Sequence, residues 1–309
     1  MDLSRKTYFF TDLHADPKAL SDSLRCCEDT NALYLFGGDC LDKGPSNLRL
    51  LDELKKLSER VEVKILAGNH DLRMLMVLQN WRDREDKDSK FAKVFTPKRF
   101  EKRITPFLNE CGGIQRAKEM FLKPGGQYSW FYDEMEFYHR DGEFLFLHAG
   151  VGDEFAKELR LIEAGEVKSP FPSLMRFRNT IRFSDELYKF YYGALGASMR
   201  TKYRTRDWEF TEEGADTVRD IGINYVVHGH DNKLGGHEMK DHHGIIHFVC
   251  DCTVDSDTRR KEGLDGDGFA VATFCPESRT ANFHSSDGNS LVNLGLMEDI
   301  RNVRNVGDV

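Results

Sequence analysis

Five short groups of polar residues between positions 12 and 231 have the types and spacing to hold divalent cations and move protons. Asp12-Leu13-His14 places a carboxylate and an imidazole two residues apart, able to converge on one cation where a strand end bends. Gly37-Gly38-Asp39-Cys40-Leu41-Asp42-Lys43-Gly44-Pro45 puts two carboxylates and an ammonium on one loop, where glycines let the backbone bend and approach an ion closely. Gly68-Asn69-His70-Asp71 adds an amide oxygen, acceptable to hard and borderline cations, beside another imidazole. His148-Ala149-Gly150 and His228-Gly229-His230-Asp231 complete the set. Each group alone reads equally well as a turn with a surface His or Asp.

Their shared setting gives them weight. Each follows an apolar run of strand character: Tyr8 to Phe10, Ala32 to Phe36, Val61 to Leu66, Phe144 to Leu147, and Tyr225 to Val227. Between the first three runs lie helical patterns. Asp16-Pro17 is an N-cap followed by proline at the first helical position, with Ala19, Leu20 and Leu24 behind it. Ser46 can cap a helix carrying Leu48, Leu51, Leu54 and Leu57 on one face, and a third helix is expected from about Leu72 to Leu78. This βαβαβα rhythm predicts parallel strands with right-handed crossovers, whose function sits at the carboxyl ends of the strands.

Later strands are expected at Ile245 to Val249, Phe269 to Phe274 and Ala281 to Phe283, in an antiparallel or mixed second sheet, with the tail after Asn289 peripheral. Residues 81–142 and 153–215 read as elaborations on one domain spanning 1–309, and the charge-dense run at 81–90 as a solvated segment. His237, His242, His243 and His247 fit no standard zinc spacing and read as a solvated hairpin.

Composition excludes some functions. The 309 residues carry a net charge of −8, which repels phosphate backbones at long range and argues against general nucleic-acid binding. With 22 phenylalanines the chain is not of disordered composition. No stretch is long and apolar enough to span a membrane, and the run from Met1 into the first strand has no signal-peptide core. Seven cysteines, an odd number without a small disulfide scaffold, read as reduced thiols of a cytoplasmic protein.

Taken in order, the groups resemble the calcineurin-like metallophosphoesterases, whose pattern is D-x-H, G-D-x-x-D, G-N-H-[ED], a later His and a final G-H. The resemblance covers roughly residues 6 to 275. Asp42-Lys43-Gly44-Pro45, Gly68-Asn69-His70-Asp71-Leu72 and His148-Ala149-Gly150 are most similar to its phosphoprotein-phosphatase group, near bacterial serine/threonine phosphatases and symmetrical diadenosine tetraphosphate hydrolases. The implied fold is α/β, a four-layer α-β-β-α sandwich with two mixed sheets.

The implied cofactors are two divalent cations, with Mn²⁺ preferred and Fe or Zn²⁺ as alternatives. Asp12 and His14 would bind the first, Asp39 would bridge both, and Asn69, His148 and His230 would bind the second. His70 would be the general acid, with Asp42 orienting its ring. Cations about 3.5–4 Å apart can hold a bridging hydroxide as nucleophile and clamp phosphoryl oxygens. A positioned acid adds typically about 10²–10⁴-fold for a poor leaving group.

Two departures leave choices open. Lys43 stands where the group usually has Arg, so a point charge replaces a planar fork; Arg73, or one of Arg200, Arg204 and Arg206, could supply the fork, Arg204 being the choice within that cluster. In the final motif, His228 is an alternative to His230. The implied activity is a phosphomonoesterase acting on phosphorylated protein or a small phosphoester. Hydrolysis of a dinucleoside polyphosphate or other nucleotide is the alternative, and a non-catalytic scaffold a remote one.

Overall fold

In β1 (Thr7–Phe10) all four residues are buried, so both faces of the strand must be covered. Its alternation decides how. Tyr8 and Phe10 join the cluster that contains the helices, while Phe9 joins a second cluster between two sheets. The computed structural model describes residues 5–79, 97–166, 210–231, 237–264, 268–286 and 288–296. The charged run at 81–90 and the arginines 200, 204 and 206 lie outside these residues.

The first sheet has the order β11-β10-β9-β1-β2-β3, formed by β1, β2 (Leu33–Phe36), β3 (Glu62–Ile65), β9 (Ala270–Cys275), β10 (Thr280–Ser285) and β11 (Ser290–Asn293). β1, β2 and β3 are parallel, paired Thr7 with Leu33 and Leu33 with Glu62. β9 runs antiparallel to β1, and the β9–β11 meander completes the sheet. The second sheet, order β4-β5-β6-β8-β7, holds β4 (Tyr138–Asp141), β5 (Phe144–Leu147), β6 (Tyr225–His228), β7 (Glu238–His242) and β8 (Ile245–Val249). Here β5, β6 and β8 are parallel, and β4 and β7 are antiparallel edges.

Aromatic rings join the sheets face to face: Phe9 and Phe146 lie 5.7 Å apart, Phe146 and Phe274 5.4 Å. On the outer side of the first sheet, α1 (Pro17–Leu24) and α2 (Asn47–Ser58) bury Leu20, Leu50, Leu51 and Leu54. α3 (Asn69–Leu78), α4 (Pro97–Cys111), α5 (Ile114–Phe121) and α6 (Ser129–Asp133) extend the same core. The second sheet is covered by α7 (Asp153–Glu163) and α8 (Glu212–Asp220), which bury Phe155, Leu159, Ala215 and Val218. A short α9 (Ser256–Glu262) follows β8. The fold is therefore the four-layer α-β-β-α sandwich with two mixed sheets.

Expected caps are present. Asp16 accepts from Lys18 N (3.0 Å) and Ala19 N (3.2 Å), and Ser46 caps α2. Three expectations need correction. β9 and β10 join the first sheet rather than a separate late one, because β9 pairs with β1. Residues after Asn289 are not all peripheral, since β11 forms the edge of that sheet. His237 to His247 does include a hairpin, β7–β8, but His247 is fully buried on the face toward Phe210.

Candidate metal centre

The parallel ladders continue past the ends of the strands. Gly37 N donates to Phe10 O (2.6 Å), Asp12 N to Gly38 O (3.1 Å), His14 N to Asp39 O (2.8 Å) and Ala15 N to Cys40 O (2.6 Å). Leu66 N donates to Phe36 O (2.7 Å), and in the second sheet Gly229 N donates to His148 O (2.9 Å). The sheets are cross-linked where they meet: His148 Nδ1 donates to Gly37 O (2.9 Å), and His230 N to Asp12 Oδ2 (2.9 Å). The motif residues thus occupy bonded backbone rather than free loops.

Asp39 is central. Its Oδ2 lies 3.8 Å from His14 Nε2 and 3.7 Å from His70 Nε2, and its Oδ1 lies 3.4 Å from His148 Nε2. His70 N, at the start of α3, donates to Asp39 Oδ1 at 2.8 Å. Asp12 Oδ1 is 3.7 Å from His14 Nε2, while Thr11 Oγ1 donates to Asp12 Oδ2 at 2.6 Å. His230 Nδ1 is 3.2 Å from His148 Nε2. Asp12, His14, Asp39, Asn69, His70 and His148 are all buried.

His70 Nδ1 meets Asp42 Oδ2 at 2.6 Å, and its Nε2 is 3.2 Å from Arg73 Nη1. Lys43 Nζ is 2.6 Å from His14 Nε2. Two close backbone approaches require glycine. A Cβ on Gly68 would fall 2.0 Å from Asp39 N, and one on Gly229 would fall 2.2 Å from Asp12 Oδ2.

Burial and charge divide the two central carboxylates. Burial pushes Asp39 up, but His148, His70, His14 and Lys43 around it prevail and hold it well below the carboxylate range. Asp12 is pushed up to about 6 by burial, with Asp39 adding to the rise against His148. Burial, then Lys43, lowers His14 well below its ordinary value. Burial also lowers His148, yet Asp39 and Asp12 outweigh it and raise the ring overall. His70 is lowered by burial against the opposing pull of Asp39 and Asp42. Burial raises Asp42, but its bond to His70 and the charge of that ring prevail, and it is lowered.

The sequence-predicted residues do not all meet. His230 packs against His148, ring centroids 5.1 Å apart. His228, on β6, lies against His247 instead at 5.7 Å, and its Nδ1 donates to Gly229 O. Asn69 is buried as the first residue of α3. Two buried carboxylates carried signals that sequence reading left without a role. Asp71 accepts from Leu41 N (2.9 Å), Gly68 N (3.0 Å) and Cys40 N (3.4 Å), pinning the Asp39 loop to α3. Burial and then Asp39 push its acid up to about 7. Asp251 follows β8 as Asp12 follows β1; burial and Asp12 raise it well above its ordinary value. Placement at a strand end could have found Asp251.

The donor set fits divalent metal. His14–Asp39–His70 and Asp12–Asp39–His148 each bring their ligand atoms within 4.8 Å of one another, and Asp39 belongs to both. His148 gives its Nδ1 proton to Gly37 O, which fixes the tautomer and leaves Nε2 toward the carboxylates, the usual outer-shell device of a metal-bound imidazole.

A buried His/Asp cluster at the strand ends of a four-layer sandwich is a candidate divalent-metal centre. The chain belongs to the calcineurin-like phosphoesterase family, whose model matches residues 5–234. No curated protein matches the sequence. Among solved structures, a mutant cold-active protein tyrosine phosphatase is 16% identical with a TM-score of 0.61, over 93% of this chain and 80% of that one. The cold-active protein-tyrosine phosphatase of a psychrophilic Shewanella species is 15% identical with a TM-score of 0.54, over 93% and 80%. At these identities the likeness is one of fold.

Proposed function

We propose that this protein is a metal-dependent phosphomonoesterase acting on phosphorylated protein side chains, with His70 as its general acid. The observation that carries the reading is the 2.6 Å bond between His70 Nδ1 and Asp42 Oδ2, with His70 Nε2 facing the Asp39 cluster. Asp42 orients the ring and stabilises its cationic form, while Nε2 delivers a proton to the leaving oxygen as the P–O bond breaks and water supplies the new oxygen. Asp12, His14 and Asp39 would hold one divalent ion, and Asp39, Asn69, His148 and His230 a second, with Mn²⁺ as the preferred metal. When bound, such ions supply Lewis-acid charge to the phosphoryl group and acidify water.

Lys43 and Arg73 contact His14 and His70, so both can reach a phosphate held there. The N-terminus of α3, opening at Asn69, adds the positive end of a helix dipole. His228 faces His247, which favours His230 for the second ion. We read residues 1–309 as one domain. All seven cysteines are free, in keeping with a cytoplasmic location.

The test is direct. Protein with Mn²⁺ is offered phosphopeptides, an aryl phosphate and diadenosine tetraphosphate side by side. Metal-dependent turnover of phosphopeptides is expected; preferential cleavage of the dinucleotide would instead establish the nucleotide-hydrolase alternative. Because His70 also falls within reach of His14 and Asp39 as a ligand, His70→Asn is assayed for metal as well as rate. Full metal content with about 10²-fold or greater loss on a poor leaving group supports the acid role. Lost metal, or an unchanged rate, refutes it.

A further inference from the structure

Helix α4 lies outside every motif, yet one of its side chains reaches the acid pair through a single intermediary. Glu110 Oε1 accepts from Ser46 Oγ (2.6 Å) and Leu48 N (2.9 Å), and its Oε2 accepts from Asn47 N (2.9 Å) and Asn47 Nδ2 (3.0 Å). The first three bonds cap α2. The fourth does something different.

A carboxylate only accepts, so the Asn47 NH₂ must face Glu110 and its carbonyl must face the other way. That carbonyl, Asn47 Oδ1, accepts from Asp42 N at 2.9 Å. Asp42 and Lys43 are consecutive residues in left-handed backbone, φ 75° and 73°, a conformation that needs outside support in non-glycine residues. Asp42 Oδ1 then accepts from Lys43 N (2.8 Å) and its Oδ2 from His70 Nδ1 (2.6 Å).

We propose that Glu110 is a positioning residue for the His70–Asp42 pair, acting by fixing the rotation of the Asn47 amide and through it the backbone of Asp42. This rests on the general-acid reading of His70. A residue that only capped α2 would have no use for the bond to Asn47 Nδ2. The link also gives the segment after α3 a task in the chemistry, since Glu110 stands 63 residues beyond Asn47 and holds the loop from outside.

Glu110→Gln tests it with almost no change of shape. One of the two oxygens becomes an NH₂ facing groups that donate, so either the Asn47 amide or the α2 cap loses its acceptor. Asn47→Ala breaks the same link from the other end while leaving Glu110 its bonds to Ser46 Oγ, Asn47 N and Leu48 N, and so spares the cap. Ser46→Ala weakens the cap alone. Each is assayed with Mn²⁺ on an alkyl phosphate, which needs a proton at its leaving oxygen, and on p-nitrophenyl phosphate, which does not.

Glu110→Gln and Asn47→Ala should keep wild-type metal content by elemental analysis. Asn47→Ala should lose kcat on the alkyl ester by about tenfold or more, with little change on the activated ester and in KM; Glu110→Gln should do the same where its NH₂ faces Asn47 Nδ2, and should instead lower Tm as Ser46→Ala does where its NH₂ faces Ser46. Ser46→Ala should lower Tm without altering the ratio of the two rates. His70→Asn separates the failures. If His70→Asn is selective for the alkyl ester while Asn47→Ala slows both esters equally or neither, the positioning role is overturned and the acid stands. If His70→Asn shows no selectivity, the acid reading falls and this proposal with it.

Discussion

Replacing Gly68 by alanine adds one methyl group at the tightest backbone approach in the centre. The site has φ −100° and ψ 165°, extended backbone that alanine adopts without strain, so the effect is purely one of space. The new Cβ would lie 2.0 Å from Asp39 N, 2.2 Å from Asp39 Oδ1 and 2.8 Å from Asp39 Cα. Comfortable contact begins near 3.5 Å, so α3 and the Asp39 loop must part by roughly 1–1.5 Å.

That movement stretches the bond from His70 N to Asp39 Oδ1, now 2.8 Å, and the Asp71 bonds to Gly68 N and Leu41 N. A charged hydrogen bond of this kind is worth about 1.5–3 kcal/mol. Overpacking adds about 1–3 kcal/mol, so a loss of about 2.5–6 kcal/mol is expected. At about 2.1 cal/mol/K of unfolding entropy per residue, the variant should melt roughly 4–9 °C lower. Asp39 belongs to both donor groups, so its displacement should weaken Mn²⁺ binding, read by titration calorimetry, about tenfold or more. Gly295→Ala is the control, since among the described residues its Cβ would meet only Asn293 Oδ1, at 3.3 Å. A Gly68→Ala protein that melts within about 1 °C of wild type and binds Mn²⁺ unchanged would show that the close approach of Gly68 to Asp39 does not hold the centre in place.

Two further perturbations address stability away from the centre. His139 on β4 is lowered from 6.5 to about 4, first by burial and then by Lys64, whose Nζ is 3.3 Å from its Nδ1. The unfolded chain therefore binds the extra proton first: the contribution is full above pH 6.5 and is lost as pH falls from 6.5 towards 4. It amounts to at most about 3 kcal/mol, so His139→Gln should flatten the acid limb of urea stability by up to that amount. Asp153 accepts from Thr211 N and Thr211 Oγ1, both at 2.8 Å, and so ties α7 to the cap of α8. Asp153→Ala should cost about 2–4 kcal/mol in chemical denaturation, and an unchanged urea midpoint would show the clasp to be idle.

What could be read from sequence follows burial. β1, β2, β5, β6 and β8 are apolar runs buried on both faces, and each announced itself. The strands that escaped are β4, β7 and β11, with sequences YHRD, EMKDH and SLVN. All three are edge strands, half exposed, where polar residues protect the open ladder and erase the apolar signature. The motif residues were legible because their positions at strand ends follow from chain order. Asn47 and Glu110 were not, because a carboxylate 63 residues away has no local pattern that betrays its partner.

The motifs also share a property that spacing does not encode. Of ten non-glycine residues with left-handed backbone among those described, six are motif residues: Asp12, His14, Asp39, Asp42, Lys43 and His230. Such conformations cost of order 1 kcal/mol or more each, least for Asp, Asn and His. They survive only where surroundings over-determine them. Here the surroundings are the extended ladder bonds from Gly37 to Ala15, the Asp71 clamp on Leu41 N, and Asn47 on Asp42 N. A relaxed turn at Asp39 or Asp42 would not direct consecutive side chains and backbone N–H groups into one small volume. The stability spent on bent backbone is thus what converges the carboxylates and imidazoles, and the buried sheets supply it. By the same logic, glycine at Lys43 would relieve backbone strain while loosening the loop that holds Asp42 against His70, so a gain in stability there should come with a loss in activity.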